Sequence, residues 1–451
     1  MREQKDYSLF LLKKWFYKKN KMNKIYNPDK NRWSDILERP TQSIESVEES
    51  VASVFDDVKR NGDAGVKRYT QLFDGVAIDD FLVSPAEFSD AEAQVSEDLK
   101  AAIALAKENI EIFHKSQVKA PQVVETSEGI QCWQEYRGIE KVGLYIPGGT
   151  APLFSSVLML AVPAKIAGCK EVVLVSPPNK EGKIHPAILY CAQLCGISKV
   201  YKVGGIQAIA GLTLGTKAIP QVYKIFGPGN QFVTVAKQYA TKYGVAIDMP
   251  AGPSELLVYA DENANAAFVA SDLLSQAEHG TDSQVILVTT SNDLMDRVES
   301  EIYKQLSDLS RKDIAQKAIE NSKLIYMESE AEALELINEY GPEHFIISAK
   351  NELFFVQGVQ NAGSVFIGDY AAESVGDYAS GTNHTLPTNG YCKSYSGVNV
   401  SAFQKAISFQ KVSEQGLLNI GKAVEVLAAA EGLDAHKNAV SIRLSAIKSG
   451  S

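Results

Sequence analysis

The stretch Ser271–Gly280, SDLLSQAEHG, ends a packed helical pattern in polar side chains that can bind metals or move protons. On a 3.6-residue period Gln276 lies close to the apolar face of the helix and His279 flanks it, while Glu278 projects to the opposite side. Gly280 is a typical helix stop, so His279 occupies the last turn, where positive charge is favoured. A histidine in that turn is usually a simple cap, and a chemical role needs further groups from elsewhere in the chain.

An acid and an imidazole stand side by side in NEYGPEHFIIS, where Glu343 and His344 directly precede an apolar strand pattern. Pro342 ends the preceding helix. Neighbouring residues of an extended chain point to opposite faces, so the pair could straddle a ligand at the edge of a rigid scaffold. Taken alone, the pair could equally be two solvent-exposed polar side chains at a turn.

Residues 367–390, IGDYAAESVGDYASGTNHTLPTNG, form a third candidate segment. The segment is rich in Gly, Ser and Thr and contains Asp369, Glu373, Asp377 and His384, yet it has no periodic apolar face and too little charge for a plain linker. Long ordered loops of this kind usually carry function.

Four of the six histidines, His279, His344, His384 and His436, lie in glycine-rich or acid-flanked segments. Imidazoles and carboxylates that are distant in sequence can converge on an N/O metal site, which suits zinc. The chain has no C-x-x-C or H-E-x-x-H spacing, so the spacing alone leaves a metal site and a metal-free site equally open.

The whole chain has 451 residues, 45% of them hydrophobic and 22% charged, a composition typical of a globular protein with more than one domain. The net charge of −10 argues against a nucleic-acid or membrane partner. Five cysteines without C-x-x-C spacing are expected to be reduced, which favours the cytoplasm. Residues 1–21 contain no signal-peptide core, and we expect them to be an extension ahead of a usual start at Met22.

Apolar strands alternate with helices along most of the chain, which predicts an α/β fold of two doubly wound Rossmann-like domains facing a cleft, with small helical N- and C-terminal segments. We expect the ligand between the domains, at the carboxyl ends of strands. The expected divisions are an N-terminal extension and small helical segment (1–41), a metal and substrate domain (42–144 with 255–398), a cofactor domain (145–254) and a helical tail (399–451). No G-x-G-x-x-G follows a first strand, so a bound dinucleotide would lack its usual fingerprint.

Eight motifs in order carry a resemblance to a known family: YIPGGTAPLFSS, GGIQAIAGLTLGT, FGPGNQFVTVAK, DMPAGPSELLV, SQAEHG, GPEHF, AGSVFIGDYAAESVGDYASGTNHTLPT and EGLDAHKNAV. Over roughly residues 40–445 the chain resembles histidinol dehydrogenase. The resemblance implies an NAD-dependent and zinc-dependent oxidation of L-histidinol to L-histidine through L-histidinaldehyde, the final steps of histidine biosynthesis.

The resemblance also assigns residues. It implies one zinc ion per subunit, with Gln276, His279, Asp377 and His436 as ligands. It implies that Glu343 and His344 are the catalytic acid-base pair. The substrate contacts it implies are Ser254, Gln276, His279, His344, Asp377, Glu431 and His436, and the cofactor contacts are Tyr145, Gln207 and Asn230.

The family's homodimer shares its active sites, which implies that the tail beyond Val398 brings Glu431 and His436 into the partner's site.

Two other functions compete with the interpretation as a histidinol dehydrogenase. A zinc-dependent hydrolase, with Glu343 activating water, would explain the missing dinucleotide fingerprint. A binding or regulatory protein that retains only the fold is the other alternative.

Overall fold

The computed structural model describes residues 22–40, 45–148 and 152–450, and its strands belong to three sheets. The expected extension, residues 1–21, lies outside the described residues. The strands are β1 (Asn23–Tyr26), β2 (Val124–Ser127), β3 (Ile130–Gly138), β4 (Lys141–Tyr145), β5 (Glu171–Ser176), β6 (Lys199–Lys202), β7 (Lys224–Phe226), β8 (Ala246–Ile247), β9 (Glu255–Ala260), β10 (Gln284–Thr289), β11 (Lys323–Tyr326), β12 (His344–Ser348), β13 (Ser364–Ile367) and β14 (Gln404–Val412).

Helices connect most of the strands. They are α1 (Trp33–Ile36), α2 (Glu45–Asn61), α3 (Asp63–Tyr69), α4 (Pro85–Gln94), α5 (Glu97–Lys115), α6 (Ser155–Ala167), α7 (Pro186–Leu194), α8 (Gly205–Leu214), α9 (Gln231–Ala240), α10 (Ala266–Ala277), α11 (Asn292–Leu306), α12 (Lys312–Glu320), α13 (Glu330–Tyr340), α14 (Glu352–Gly358), α15 (Glu373–Tyr378), α16 (Glu414–Ala430) and α17 (Asp434–Ser449). The charged stretch 293–321 has a helical pattern throughout, but it forms two helices, α11 and α12.

A five-stranded parallel sheet has the order β6-β5-β4-β7-β8. Its central strand comes first in the chain, and the chain then builds outward through β5 and β6 before returning to β7 and β8. Successive side chains of a strand point to opposite faces of the sheet, so Leu144 packs in the apolar cluster on one face and Tyr145 in the cluster on the other. Burial of both faces explains why these strands are continuously apolar. The reversal of strand order beside β4 opens a crevice at the carboxyl edge.

A six-stranded parallel sheet has the order β1-β11-β10-β9-β12-β13. Leu256 and Val258 of β9 pack toward α10 and α11 on one face, whereas Leu257 and Tyr259 pack toward α1 and α13 on the other. Its outer strand β1 had been expected to be part of a small helical segment. The two sheets with their helices confirm the predicted α/β fold class.

The expected division of the chain differs from the observed packing in one large segment. Residues 42–144 had been assigned to the domain of the six-stranded sheet, but α2 and α3 pack on α8 and α9, α4 packs on α7, and α5 packs on α6. Strand β4 is also the centre of the five-stranded sheet. Helical periodicity reveals that Val51 and Phe55 form a buried face, but only the fold reveals that its partners include Ile209.

The tail from 399 had been expected to be helical, but a 3-10 turn at Val400–Phe403 leads directly into a strand. Strand β14 pairs antiparallel with all of β3, which also pairs with β2 to form a third sheet. After it, α16 and α17 form a helical hairpin that packs mainly on itself. Val426, Leu427 and Ile442 on this hairpin are exposed in the single chain.

Candidate active site

Glu343 and His344 lie at the amino edge of the six-stranded sheet, where β12 begins. Gln276 reaches the same edge from the last turn of α10. This location corrects the expectation that the whole site lies at carboxyl ends of strands. A crossover helix runs back from the carboxyl edge, so the polar end of α10 returns to the edge at which β12 starts.

These three side chains form a buried network around the first residue of β9. The Gln276 Nε2 amide donates to the Glu255 carbonyl (3.2 Å) and to Glu343 Oε2 (3.4 Å), and it lies 3.2 Å from His344 Nδ1. The Glu255 N–H donates to Glu343 Oε2 at 2.9 Å. His344 Nδ1 also lies 3.2 Å from the Glu255 carbonyl. Since a carbonyl oxygen only accepts, Nδ1 carries a proton in this arrangement.

Two carboxylates from the long loop complete the cluster. Glu373 and Asp377 are four residues apart on α15, so they share one helix face. Asp377 Oδ1 lies 3.3 Å from His344 Nε2, without the alignment of a hydrogen bond, and Glu373 Oε1 lies 3.8 Å from His344 Nδ1. Ser275 Oγ donates to Glu373 Oε2 at 3.1 Å. One donor atom from each of His344, Glu373 and Asp377 lies within 4.8 Å of the other two.

Burial and charge perturb the acids and the imidazole in this cluster. Burial raises the pKa of Glu343 to about 8 and that of Glu373 to about 8. Burial alone would lower the pKa of His344, but Glu343, Glu373 and Asp377 raise it well above its ordinary value. The near-neutral pKa expected of a histidine base therefore does not apply to the cluster without a bound cation.

The cluster contains buried polar atoms that make no hydrogen bond to the described residues, as expected of side chains that bind a metal ion. Gln276 Oε1, His344 Nε2 and Glu373 Oε1 are buried and have no hydrogen-bond partner in the described part of the chain. Buried polar atoms normally find a partner. His344 Nε2 and Glu373 Oε1 each face an oppositely charged group of the cluster, so Gln276 Oε1 is the atom that indicates a missing ligand. Amide, imidazole and carboxylate donors together suit zinc. Gln276 and Asp377 belong to the predicted zinc ligands, whereas Glu373 was not among the predicted site residues.

His384 bridges the cluster to the five-stranded sheet. Its Nδ1 donates to the Asp377 carbonyl at 2.9 Å, and its Nε2 lies 3.0 Å from the hydroxyl of Ser156 in the first turn of α6. Burial lowers the pKa of His384, which favours its neutral ring, and in that form Nε2 can accept from the Ser156 hydroxyl. His279 is exposed in the single chain, and Ser254 directly precedes β9 beside the cluster.

The predicted cofactor contacts lie at the carboxyl edge of the five-stranded sheet, beside its switch in strand order. Tyr145 ends β4, and its hydroxyl oxygen accepts from the Gly205 N–H at 3.3 Å. Gln207 is fully buried on α8 and donates to Asp74 at 3.0 Å, and its Oε1 has no hydrogen-bond partner among the described residues. Asn230 caps α9 and is exposed. Backbone N–H groups and a spare amide oxygen at this crevice fit a dinucleotide.

Glu431 and His436 are not brought to the cluster within one chain. Both are exposed at the turn of the helical hairpin, where Glu431 directly follows α16 and His436 lies in the first turn of α17.

The sequence missed several residues with contacts to the site. Glu255 and Ser156 lie within two of the quoted motifs, DMPAGPSELLV and YIPGGTAPLFSS, but no role was predicted for either, and Asp74 approaches Gln207 from a separate helical segment. The four-residue spacing of Glu373 and Asp377 was the one signal that could have paired two acids.

Within the described residues, we find no helix with the length and apolar content needed to cross a membrane.

Comparison with known proteins matches residues 37–444 to the family model of histidinol dehydrogenase. A histidinol dehydrogenase of Bacteroides thetaiotaomicron is 56% identical over 427 residues, which cover 95% of this chain and 100% of that protein. An Escherichia coli histidinol dehydrogenase is 51% identical, covering 92% of this chain and 95% of that protein.

The crystal structure of histidinol dehydrogenase from Elizabethkingia anophelis superposes with a TM-score of 0.93 at 50% identity and covers 95% of this chain and 99% of that one. Family model, relatives and structure agree over nearly the whole chain and include the segments that form the cluster. The chain belongs to the histidinol dehydrogenase family and is an oxidoreductase.

Proposed function

We propose that this protein catalyses the NAD-dependent, zinc-dependent oxidation of L-histidinol to L-histidine through L-histidinaldehyde, as the final steps of histidine biosynthesis in the cytoplasm. The observation that carries the proposal is the buried acid-base pair Glu343 and His344 beside the unpaired amide oxygen of Gln276. The substrate is a small molecule, and neither a nucleic acid nor a membrane is required.

Zinc would be held by Gln276, His279 and Asp377 of one chain and by His436 of a second. The buried, unpaired Gln276 oxygen and the cluster around Asp377 support this assignment. When bound, zinc would take the imidazole and amine nitrogens of the substrate and so orient the carbon that is oxidised. An amide oxygen is a weak ligand, which leaves room for the substrate in the coordination shell.

The cofactor would contact Tyr145, Gln207 and Asn230. All three lie on or beside the carboxyl ends of β4, β6 and β7, and the unpaired Gln207 oxygen offers an acceptor to a ribose or amide donor. When bound, NAD would accept a hydride from the substrate carbon in each of the two steps.

In the first step His344 would take the hydroxyl proton while hydride leaves the same carbon. The ring is fixed for this role, because Gln276 and the Glu255 carbonyl lie at Nδ1 and Asp377 lies at Nε2. A cation in the cluster would oppose the carboxyl groups that raise the pKa of His344, and it would lower the pKa of this base.

In the second step Glu343 would take a proton from the water that adds to the aldehyde, before the second hydride leaves. Its carboxylate is positioned by the Glu255 N–H and lies 3.7 Å from His344 Nδ1, close enough for the two groups to act on one carbon. Burial keeps bulk water from the intermediate. Ser254 and Glu431 would provide further substrate contacts.

We infer that the active protein is a homodimer with shared sites. Glu431 and His436 are exposed and far from the cluster in sequence, and the hairpin that carries them exposes Val426, Leu427 and Ile442. Exposed apolar side chains on a helical hairpin favour burial against a second copy. Mixing inactive His436→Ala and His344→Ala protomers should recover part of the activity, whereas sites made by one chain alone should recover none.

Removing Gln276 or Asp377 tests the metal and substrate assignment directly. The Gln276→Ala and Asp377→Ala variants should lose bound zinc and L-histidinol affinity together, whereas Gln193→Ala, at an exposed position on α7, should keep both. Zinc content can be measured by atomic absorption and substrate binding by calorimetry. Unchanged zinc content together with unchanged substrate affinity would overturn the assignment.

A further inference from the structure

Arg39 lies behind the cluster, outside every motif that identifies the family site. The residue follows α1, and its guanidinium forms a two-point ion pair with Glu255, Nε to Oε1 at 2.5 Å and Nη2 to Oε2 at 2.9 Å. Arg39 Nη2 also donates to the Tyr340 carbonyl at 2.8 Å, and its guanidinium carbon lies 4.0 Å from the centre of the Tyr340 ring. The Glu255 side chain is only 1% exposed.

The backbone of Glu255 provides the contacts that orient the cluster. Its N–H donates to Glu343, and its carbonyl accepts from Gln276 and lies beside His344 Nδ1. Because Gln276 directs its NH2 group at this carbonyl, its oxygen is turned the other way and stays free for a ligand. One residue therefore sets the direction of both the Glu343 carboxylate and the Gln276 amide.

The start of β9 is held by the sheet on one side only, where the Gln284 N–H of β10 donates to the Ser254 carbonyl at 3.1 Å. Glu255 is the first residue in register with β10, through Gln284, and β12 pairs only from Leu256 onward. Ser254, the proposed substrate contact, is the residue before it. The side chain of Glu255 is held by Arg39 and by the Asn389 N–H at 2.6 Å, so these contacts anchor the end of the strand.

We propose that Arg39 is a positioning residue, which holds Glu255 so that its backbone directs Gln276 toward the metal and Glu343 toward the substrate. This inference rests on the proposed function of the cluster but names a residue that touches neither substrate nor cofactor. Arginine suits the role because its planar fork fixes both carboxylate oxygens, whereas a lysine would fix one point.

The test compares Arg39→Ala and Arg39→Lys with Lys393→Ala. Lys393 lines the same surface recess as Arg39, a cavity of about 400 Å³, but its ion pair is with Glu339. Zinc affinity of the metal-free protein is measured by competition with a colorimetric chelator, and kcat and KM are measured for L-histidinol and NAD. Arg39→Ala should weaken zinc binding and lower kcat by roughly 10- to 100-fold. Arg39→Lys should lie between, and KM for NAD should not change.

Guanidinium ion separates positioning from folding. The recess that contains Arg39 opens to solvent, so millimolar guanidinium should enter the Arg39→Ala protein, pair with Glu255 and restore zinc affinity and kcat. Sodium at equal ionic strength should not. A folded Arg39→Ala protein with wild-type zinc affinity and wild-type kcat would overturn the inference.

A buried carboxylate without its partner can also prevent folding. The double variant Arg39→Met with Glu255→Gln contains no unpaired charge and tests that case. Wild-type zinc affinity and kcat in this variant would show that the Arg39–Glu255 ion pair supports folding only and does not position the cluster. Failure of the proposed function has a different signature, because the wild-type protein itself would then form no NADH from L-histidinol.

Discussion

Replacing Gly227 by alanine should weaken NAD binding and spare the metal cluster. Gly227 follows β7, and an added Cβ would lie 2.1 Å from the Tyr145 carbonyl oxygen, far inside contact distance. Its φ of +127° is also a conformation that alanine rarely adopts. The peptide cannot move freely, since its N–H donates to Asp248 at 2.8 Å and its carbonyl accepts from Lys237 at 2.9 Å.

The size of the effect follows from that contact. Separating the two atoms requires the loops after β4 and β7 to part by about 1 Å, and a misplacement of that size costs on the order of 100-fold in a positioned site. That factor corresponds to about 3 kcal/mol of lost binding free energy for NAD. Backbone strain at the same residue should lower the free energy of unfolding by roughly 1–3 kcal/mol.

The assay is KM for NAD alongside KM for L-histidinol and bound zinc. Gly244→Ala is the matched control, because Gly244 has φ +79° but nothing within 4 Å of an added Cβ. The control should share the strain and keep NAD binding. A folded Gly227→Ala protein with unchanged KM for NAD would refute the cofactor location, and equal losses of NAD and zinc binding would refute the separation of the two sites.

Three further predictions concern single groups. Glu343→Gln should still oxidise L-histidinol to the aldehyde but slow oxidation of added L-histidinaldehyde by roughly 100- to 10,000-fold, and equal slowing of both steps would contradict its role as the water base. Burial raises the pKa of Asp74 to about 6 from 3.8, so its ionisation destabilises the folded protein as pH rises through this range. The free energy of unfolding of Asp74→Asn, measured by thermal unfolding, should therefore exceed that of the wild type by about 1 kcal/mol at pH 7.5, after a discount for partial exposure. The difference should be smaller at pH 4.5, and an equal difference at both pH values would contradict this effect of Asp74. Lys237 lies 2.5 Å from the buried Asp248 carboxylate, so Lys237→Met leaves this carboxylate without its charged partner. Denaturant unfolding should show that the free energy of unfolding falls by roughly 3–5 kcal/mol.

Local pattern was enough to predict most strands and their order of appearance. The runs Glu255–Ala260 and Gln284–Thr289 are examples: their apolar pattern predicts strands, and both are strands with residues buried on both faces. The spacing of apolar residues could not reveal where the α2 face that contains Val51 and Phe55 would pack, because such a face can pack against any apolar surface. It also could not reveal β14, whose polar and apolar residues depend on β3 for their pairing.

The cluster itself was only partly predictable. Gln276, Glu343, His344 and Asp377 were named from the motifs, and the structure brings these four together. That the cluster lies at the amino edge follows from the return of α10, a property of the connection and not of any residue. The ion pair of Arg39 joins positions more than 200 residues apart in the chain, and nothing in either local sequence indicates it.

The most direct test of the double oxidation is the number of NADH molecules formed for each L-histidinol consumed, with and without a chelator. The proposed reaction predicts two NADH, with activity that is lost on chelation and restored by zinc. One NADH would mean that the aldehyde is released and that Glu343 does not direct the water step. Absence of NADH, or full activity without metal, would contradict the proposed reaction.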